Sequence, residues 1–97
     1  MVSGNWKVTV MTSMRPIELR MSVHERDNVV TGTLNGENNY NVPIRNAILK
    51  GNEFSFDARI KIPFGMMNIS PVLIINGTTL NGSVKTRFGT FPITGYK

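Results

Sequence analysis

Two short phrases in this chain, about half its length apart, share one pattern around a central glycine. Residues 30–34 read VTGTL and residues 80–84 read LNGSV, so each has an apolar residue, Thr or Asn, glycine, a hydroxyl residue and an apolar residue. A glycine in the middle of a strand marks a bend or a close approach of another backbone. The matched pair, Gly32 and Gly82, therefore predicts a strongly curved sheet, and their spacing indicates a repeat of four strands followed by four more.

Alternation of apolar and polar residues runs through the rest of the sequence, and no stretch shows a sustained helical period. Period-two alternation is typical of strands that bury one face. Turn signals such as the Asn-Gly pairs at 35–36 and 76–77 separate the segments at short intervals. Counting the segments predicts eight strands, and their short connections indicate antiparallel neighbours. The clearest alternating segment has the apolar residues Phe54, Phe56, Ala58, Ile60 and Ile62.

The length of the chain and the lack of an amphipathic helix decide how these strands pack. The 97 residues form a single domain over residues 1–97, a size that can bury a core without disulfides or metals. Eight strands with one apolar face must wrap onto themselves when no helix can cover that face. Closure also removes the exposed edges of the sheet. We therefore predict an all-β fold, an eight-stranded antiparallel up-and-down β-barrel.

Composition limits the compartment and the partners of the protein. The chain has no cysteine, which excludes disulfides and zinc–thiolate sites and fits a reducing compartment. Its first residues lack the pattern of a secretory signal, and its longest aliphatic run, 72–75, is far too short to span a membrane. We expect a cytoplasmic protein with no membrane partner. The formal charge is +5, but the basic residues are scattered. We therefore expect no nucleic-acid partner, and nucleic-acid binding is the alternative function.

Several short motifs resemble known barrel families. The start of the first strand, Gly4-Asn5-Trp6, is similar to the Gly-X-Trp opening of the calycins, the lipocalin and avidin-like barrels. Residues 30–33, Val-Thr-Gly-Thr, resemble the Leu-Thr-Gly-Thr of avidin-like proteins. Later segments are similar in style to short bacterial and archaeal barrel domains of no established activity. The resemblance implies a calycin-like, streptavidin-like barrel over most of the chain. Avidin-like proteins surround their ligand with several tryptophans, whereas this chain has only Trp6, so biotin binding is not implied.

The titratable residues form no catalytic or metal-binding pattern. His24 is the only histidine, so a zinc site would have no second imidazole and no thiolate. The 6 acidic residues fall on polar phases or in turns, and paired-carboxylate catalysis needs one acid in an apolar pocket. The sequence has neither a nucleophile elbow nor a phosphate loop. We expect no enzyme activity, no catalytic residue, no metal and no cofactor; an enzyme of unrecognised type is the further alternative.

Aromatic residues are the candidates for a ligand site. An eight-stranded interior holds either side chains or one small ligand. We expect Phe88 to point inward with the apolar residues of the inward phases. Together these residues nearly fill such an interior, so any cavity should be small. The predicted ligand is therefore a small apolar molecule at the barrel mouth, with Trp6, Phe54, Phe56 and Tyr96 as its candidate contacts.

One segment departs from the alternation because apolar residues occupy both of its phases, from Val72 to Ile75. If Leu73 and Ile75 point inward, Val72 and Ile74 point outward, and Met66 shares their phase. Exposed apolar residues in a row mark interaction surfaces. The alternative is that the first hairpin loop, Met11 to Pro16, covers these residues. We predict a homodimer whose interface includes Met66, Val72 and Ile74.

Together these features predict a binding or interaction module that self-associates and holds at most a small apolar ligand. The alternative, a basic nucleic-acid-binding barrel, needs aromatic residues exposed between basic ones. The pairs that fit this requirement in the sequence are Tyr40 near Arg45, Phe88 beside Arg87, and Tyr96 near Lys97.

Overall fold

Nine β-strands form the regular structure of the residues that the computed structural model describes, which are 2–13, 15–27, 29–36, 41–62 and 65–97, with residues 61 and 62 described by their backbone alone. The strands are β1 Gly4–Met11, β2 Pro16–Arg26, β3 Val29–Asn35, β4 Asn41–Pro43, β5 Arg45–Lys50, β6 Glu53–Ile62, β7 Gly65–Asn76, β8 Thr79–Thr86 and β9 Gly89–Tyr96. No helix occurs in these residues, and the predicted all-β class is confirmed.

The strands form a single sheet in the order β4-β3-β2-β1-β9-β8-β7-β6-β5. Every pair in this order is antiparallel, and β1 joins β9 to connect the two halves. The sheet curls until it is nearly closed. The predicted antiparallel up-and-down barrel is therefore confirmed, although with nine strands instead of eight.

A break near Ile44 accounts for the additional strand. The sequence predicts one strand here, but β4 pairs with β3 at one end of the sheet and β5 pairs with β6 at the other. Between them, Ile44 donates its backbone N–H to the carbonyl of Gly32 at 3.0 Å. Asn46 then adopts a left-handed φ of 54°, a conformation that asparagine tolerates better than most residues. The chain itself thus crosses from the first edge of the sheet to the last and brings the two edges together.

The two halves of the barrel repeat the same strand register. Val23 lies opposite Gly32 in the β2–β3 pair, and Leu73 lies opposite Gly82 in the β7–β8 pair. Each residue number in the second pair is 50 higher than its counterpart in the first pair (73 − 23 and 82 − 32). The same offset relates the pairs Val8–Leu19 and Met21–Leu34 to the pairs Ala58–Ile69 and Pro71–Val84. Strands β1–β3 are therefore repeated by β6–β8, and β9 corresponds to β4 together with the first residues of β5.

Gly32 and Gly82 allow neighbouring strands to approach closely at equivalent points of the repeat. A Cβ atom on Gly32 would overlap the carbonyl oxygen of Ser22, and one on Gly82 would overlap the carbonyl oxygen of Val72. Neither glycine has a positive φ. The requirement for glycine is therefore one of space, as the sequence pattern predicts.

The chain termini close one end of the barrel. Val2 is fully buried, and its carbonyl accepts a hydrogen bond from the indole Nε1 of buried Trp6 at 2.9 Å. Lys97 places its Nζ atom 4.9 Å from the centre of the Trp6 ring. The same ammonium donates to the carbonyl of Ser3 at 2.9 Å. The end where β1 begins and β9 finishes is therefore packed.

Candidate functional site

The barrel interior is filled by its own side chains. Trp6, Phe54 and Phe56 are buried, and the two phenylalanine rings lie 5.3 Å apart. The void between the described core residues measures about 10 Å³, roughly what a single water molecule occupies. Three of the four predicted ligand contacts therefore belong to the packed core. Among the described residues this void is too small for a small apolar ligand, and a ligand at the barrel mouth stays a prediction.

The exposed aromatic rings lie on the outside of the barrel. Phe88 is 58% exposed in the turn between β8 and β9, with the Arg87 guanidinium 5.1 Å from its ring centre. The expectation that Phe88 points inward is wrong, because β8 ends at Thr86 and the turn removes Phe88 from the alternation. Tyr96, the fourth ligand candidate, is equally exposed on the outer side of β9. The sequence suggests Lys97 as the cation near Tyr96. In the structure the Lys97 ammonium lies over the Trp6 ring, and the direct strand partner of Tyr96 on β1 is Lys7.

Val72 and Ile74 lie on β7, at one side of an outer surface formed by β7, β8 and β9 that carries little charge. Both side chains point outward, with 41% and 37% of their surface exposed, while Leu73 and Ile75 are buried. Val72 lies beside Ser83 and Ile74 lies beside Asn81. We call this surface the neutral face; its residues are Ser70, Val72, Ile74, Thr79, Asn81, Ser83, Lys85, Pro92 and Thr94.

The neutral face is charged only near its border. Lys85 is the single charged residue within it. On the β6 side the face adjoins two carboxylates, Glu53 as the partner of Ile74 and Asp57, which accepts a hydrogen bond from Ser70. The exposure of Val72 and Ile74 also shows that the first hairpin loop does not cover them. Depletion of charge around exposed apolar residues is typical of the centre of a protein interface.

Met66 shares the phase of the neutral face but lies at the other end of β7. Its side chain is 41% exposed, and its strand partner is Lys61. Six residues separate Met66 from Val72, which is about 20 Å along a strand. The structure thus brings Val72 and Ile74 together and leaves Met66 apart, among residues near the β6–β7 connection.

A second surface feature is a groove of about 460 Å³ on the outer side of β9, β1, β2 and the end of β3. Its polar walls come from residues on adjacent strands, because Lys7 pairs with both Tyr96 and Arg20, and Arg20 pairs with Asn35. The groove opens where β3 stops at Asn35 while β2 continues. We call it the β1–β2 groove; its lining residues are Lys7, Val8, Thr9, Glu18, Leu19, Arg20, Asn35, Gly36 and Tyr96.

Charge and hydrogen bonding in the β1–β2 groove are incompletely matched. Lys7 and Arg20 are exposed and lie directly opposite each other on neighbouring strands, an arrangement of like charges that destabilises a sheet. The Oδ1 atom of Asn35 is buried and has no hydrogen-bond partner among the described residues. Buried polar atoms without a partner are uncommon in folded proteins. The groove therefore presents two cations, the carboxylate of Glu18 and an unused acceptor.

At the equivalent place in the other repeat, the polar side chains form hydrogen bonds with one another. The offset of 50 relates Lys7 to Asp57 (57 − 7) and Arg20 to Ser70 (70 − 20). The Asp57 carboxylate accepts hydrogen bonds from Asn46 Nδ2 at 3.0 Å and from Ser70 Oγ at 2.9 Å. These hydrogen bonds hold the pKa of Asp57 below its ordinary value, and the one from Asn46 contributes more than the one from Ser70. Because the folded-state pKa is lowered, the stabilisation is present above the unfolded-state pKa and lost as pH falls through the folded-state pKa.

Sequence reasoning does not identify the β1–β2 groove. Alternation alone places Lys7, Arg20 and Tyr96 on outward phases, but it gives no register between the strands. That register, which sets Lys7 beside both others, is fixed by pairing between β1 and the last strand of the chain. The available signal is the repeat itself, because the two halves differ in charge at positions 7 and 57.

Within the described residues no group of three or more His, Cys, Asp or Glu side chains could hold a metal ion. His24 is exposed on the outer side of β2. The described part of the chain also contains no helix with the length and hydropathy needed to cross a membrane.

Comparison of the chain with protein-family models, with curated proteins and with solved structures finds no match.

Proposed function

We propose that the protein is an interaction module that self-associates through its neutral face. The observation that carries the proposal is the outward exposure of Val72 and Ile74 within a surface that has one charged residue. Full burial of a Val or Ile side chain is worth about 1.5–3 kcal/mol. In the monomer 41% of Val72 and 37% of Ile74 stay exposed to water, so a partner surface would recover the part of that free energy that the exposed surface represents.

A second copy of the chain is the partner that this surface fits. A two-fold contact brings a patch against itself, so each residue is used twice. The residues around Val72 and Ile74 include Asn81, Ser83 and Thr94, each of which has a donor and an acceptor on one side chain. Such residues can hydrogen-bond to their own copies. Opposite charges at the border, Glu53 and Lys85, also suit a self-complementary rim.

The barrel is large enough for an interface of this kind. Its principal extents are 38 × 21 × 20 Å, so one side presents roughly 800 Å², the area that each partner buries in a standard interface. The neutral face would form the centre of that area, and the charged residues around it would remain hydrated at the rim.

Sedimentation velocity on the unmodified protein and on charged variants tests this proposal. We expect a dimer at micromolar concentration, and we expect Val72→Asp and Ile74→Asp each to shift it to monomer, because a buried unpaired carboxylate is strongly unfavourable. Met66→Asp, about 20 Å away along the strand, should weaken the dimer less. The matched control is Thr31→Asp, an exposed outward position on β3, which should leave the dimer intact.

Circular dichroism should show that the variants keep the strand signal of the unmodified protein, since neither Val72 nor Ile74 enters the core. A monomer in the unmodified protein, or equal dissociation by Thr31→Asp, would contradict the proposed interface.

Nucleic-acid binding is a second candidate function, and the exposure of Phe88 beside Arg87 favours it. An aromatic ring in contact with water next to a guanidinium can stack on a base. Tyr40, the other candidate near Arg45, lies outside the described residues. We expect binding of a single-stranded oligonucleotide to be weak, independent of sequence and lost as salt rises, because scattered charge supports it. Fluorescence anisotropy over a salt series measures this, and tight, sequence-selective binding at physiological salt would promote this function over self-association.

A further inference from the structure

The β1–β2 groove combines features that packing alone does not account for. Lys7 and Arg20 lie directly opposite each other on two neighbouring strands, although like charges in direct opposition lower the stability of a sheet. No described carboxylate forms an ion pair with either of them in the structure. The Asn35 Oδ1 atom is buried beside them with no partner among the described residues. Local violations of this kind are typical of functional sites.

The internal repeat supplies a control for this comparison. In the other half, the equivalent of Lys7 is Asp57, whose carboxylate is held by Asn46 and Ser70. There the carboxylate stays charged, but neighbouring side chains satisfy its oxygens with hydrogen bonds. In the β1–β2 groove the same offset places Tyr96 where the other half has Asn46. One half thus has a carboxylate held by its neighbours, and the other half has two cations and the Glu18 carboxylate along an open groove.

We propose that the β1–β2 groove binds a small phosphate monoester that also carries hydroxyl groups, such as a sugar phosphate or a nucleoside phosphate. Lys7 and Arg20 would hold the phosphate, because guanidinium and ammonium groups form strong charge-assisted hydrogen bonds with its oxygens. Paired cations suit the double charge of a phosphate monoester. The groove, at about 460 Å³, falls within the range of small-molecule sites.

The remaining lining residues select for the rest of the ligand. Asn35 Oδ1 is a hydrogen-bond acceptor without a partner, so a hydroxyl group of the ligand would satisfy it. Glu18 lies on the Thr9 side of the groove, where it disfavours a second anionic group and accepts from another hydroxyl. The exposed ring of Tyr96 offers a surface on which a sugar or a base can pack.

A small molecule fits the groove better than a polymer does. The groove is bounded by Glu18 on one side, and a nucleic-acid backbone that continued past it would bring its next phosphate toward that carboxylate. Repulsion between the two charges would limit binding to a single phosphate group. This proposal concerns a different surface from the neutral face and does not depend on self-association.

Titration of isotope-labelled protein with adenosine monophosphate, followed by NMR, tests the proposal. We expect shifts of the amide signals of Lys7, Thr9, Glu18, Arg20, Gly36 and Tyr96, and we expect adenosine without phosphate to cause none. Lys7→Gln and Arg20→Gln should each weaken binding about tenfold or more, since each removes a hydrogen bond to a charged group. Tyr96→Ala should weaken binding of adenosine monophosphate more than binding of inorganic phosphate.

The matched control is Lys85→Gln, which removes one positive charge from the outer surface of the other repeat, where the offset makes it the counterpart of Asn35 (85 − 35). It should leave the affinity unchanged. An equal loss in Lys85→Gln would show attraction to net charge alone, and equal binding of adenosine would remove the role of the two cations. A single-stranded oligonucleotide that binds the groove more tightly than the nucleotide would assign it to nucleic acid. Each of these results, or the absence of any shift in the groove at millimolar nucleotide, overturns the proposal.

Discussion

Replacing Gly82 by valine should destabilise the barrel by about 3 kcal/mol, at the upper end of what overpacking costs. The new Cβ atom would overlap the Val72 carbonyl oxygen and lie 3.0 Å from the Leu73 Cα atom. Both are backbone atoms of the neighbouring strand and cannot rotate away, so the strands themselves must separate. The expected change is measured as a shift of the urea midpoint at unchanged slope.

Gly32→Val should have a similar but smaller effect. There the Cβ atom would overlap the Ser22 carbonyl oxygen and lie 3.2 Å from the Val23 Cα atom. These contacts are slightly longer than those at Gly82, and the third neighbour, the Cδ1 atom of Ile44 at 3.3 Å, is the end of a side chain that can move. The controls are Thr31→Val and Ser83→Val, outward positions next to the two glycines, which should stay within about 0.5 kcal/mol. Unchanged midpoints in both glycine variants would show that the strands do not need the close approach.

These glycines also show how far the sequence predicts the fold. Glycine in the middle of an apolar strand has few explanations, so Gly32 and Gly82 indicate both the curvature and the repeat. Alternation predicts the strands equally well, because burying one face imposes a period of two. Closure follows from the lack of any other element that could cover the apolar face.

The differences between prediction and structure come from local backbone geometry. The ninth strand exists because the chain turns at Ile44 and Asn46, and an asparagine with left-handed φ has no distinctive sequence signal. Phe88 lies outside the core because β8 ends two residues earlier, and periodicity does not show where a strand ends. The calycin resemblance remains a prediction, since the confirmed features are those of any antiparallel barrel.

Candidate sites are less accessible to sequence reasoning than the fold, because they depend on register between distant strands. The outward phase of Val72 and Ile74 could be predicted, since it needs only the alternation of one strand. The β1–β2 groove could not, because it joins residue 7 to residues 20, 35 and 96 through three separate strand pairings.

Replacing Trp6 by alanine should have the largest effect on stability, about 3–5 kcal/mol. Trp6 is 1% exposed, and its ring packs below the Lys97 ammonium while its Nε1 donates to the carbonyl of Val2. The alanine variant leaves a large cavity and removes the hydrogen bond that holds the N-terminal residues in the barrel end. For a domain at the lower end of the usual range of about 5–15 kcal/mol, such a loss would unfold a measurable fraction of the protein.

Trp6→Phe separates the two contributions. Phenylalanine is the residue at the equivalent position of the other repeat, Phe56 (56 − 6 = 50), so much of the packing should be kept. The carbonyl of Val2 would lose its donor, however, and a buried acceptor without a partner costs about 1–3 kcal/mol. Because Trp6 is the only tryptophan, unfolding of both variants must be followed by circular dichroism. The control is Tyr96→Ala, an exposed aromatic at the same end of the barrel, which should change stability by no more than about 0.5 kcal/mol. A Trp6→Ala variant as stable as that control would mean that the barrel does not need the Trp6 side chain to fill this end. The interior could then stay open to a ligand.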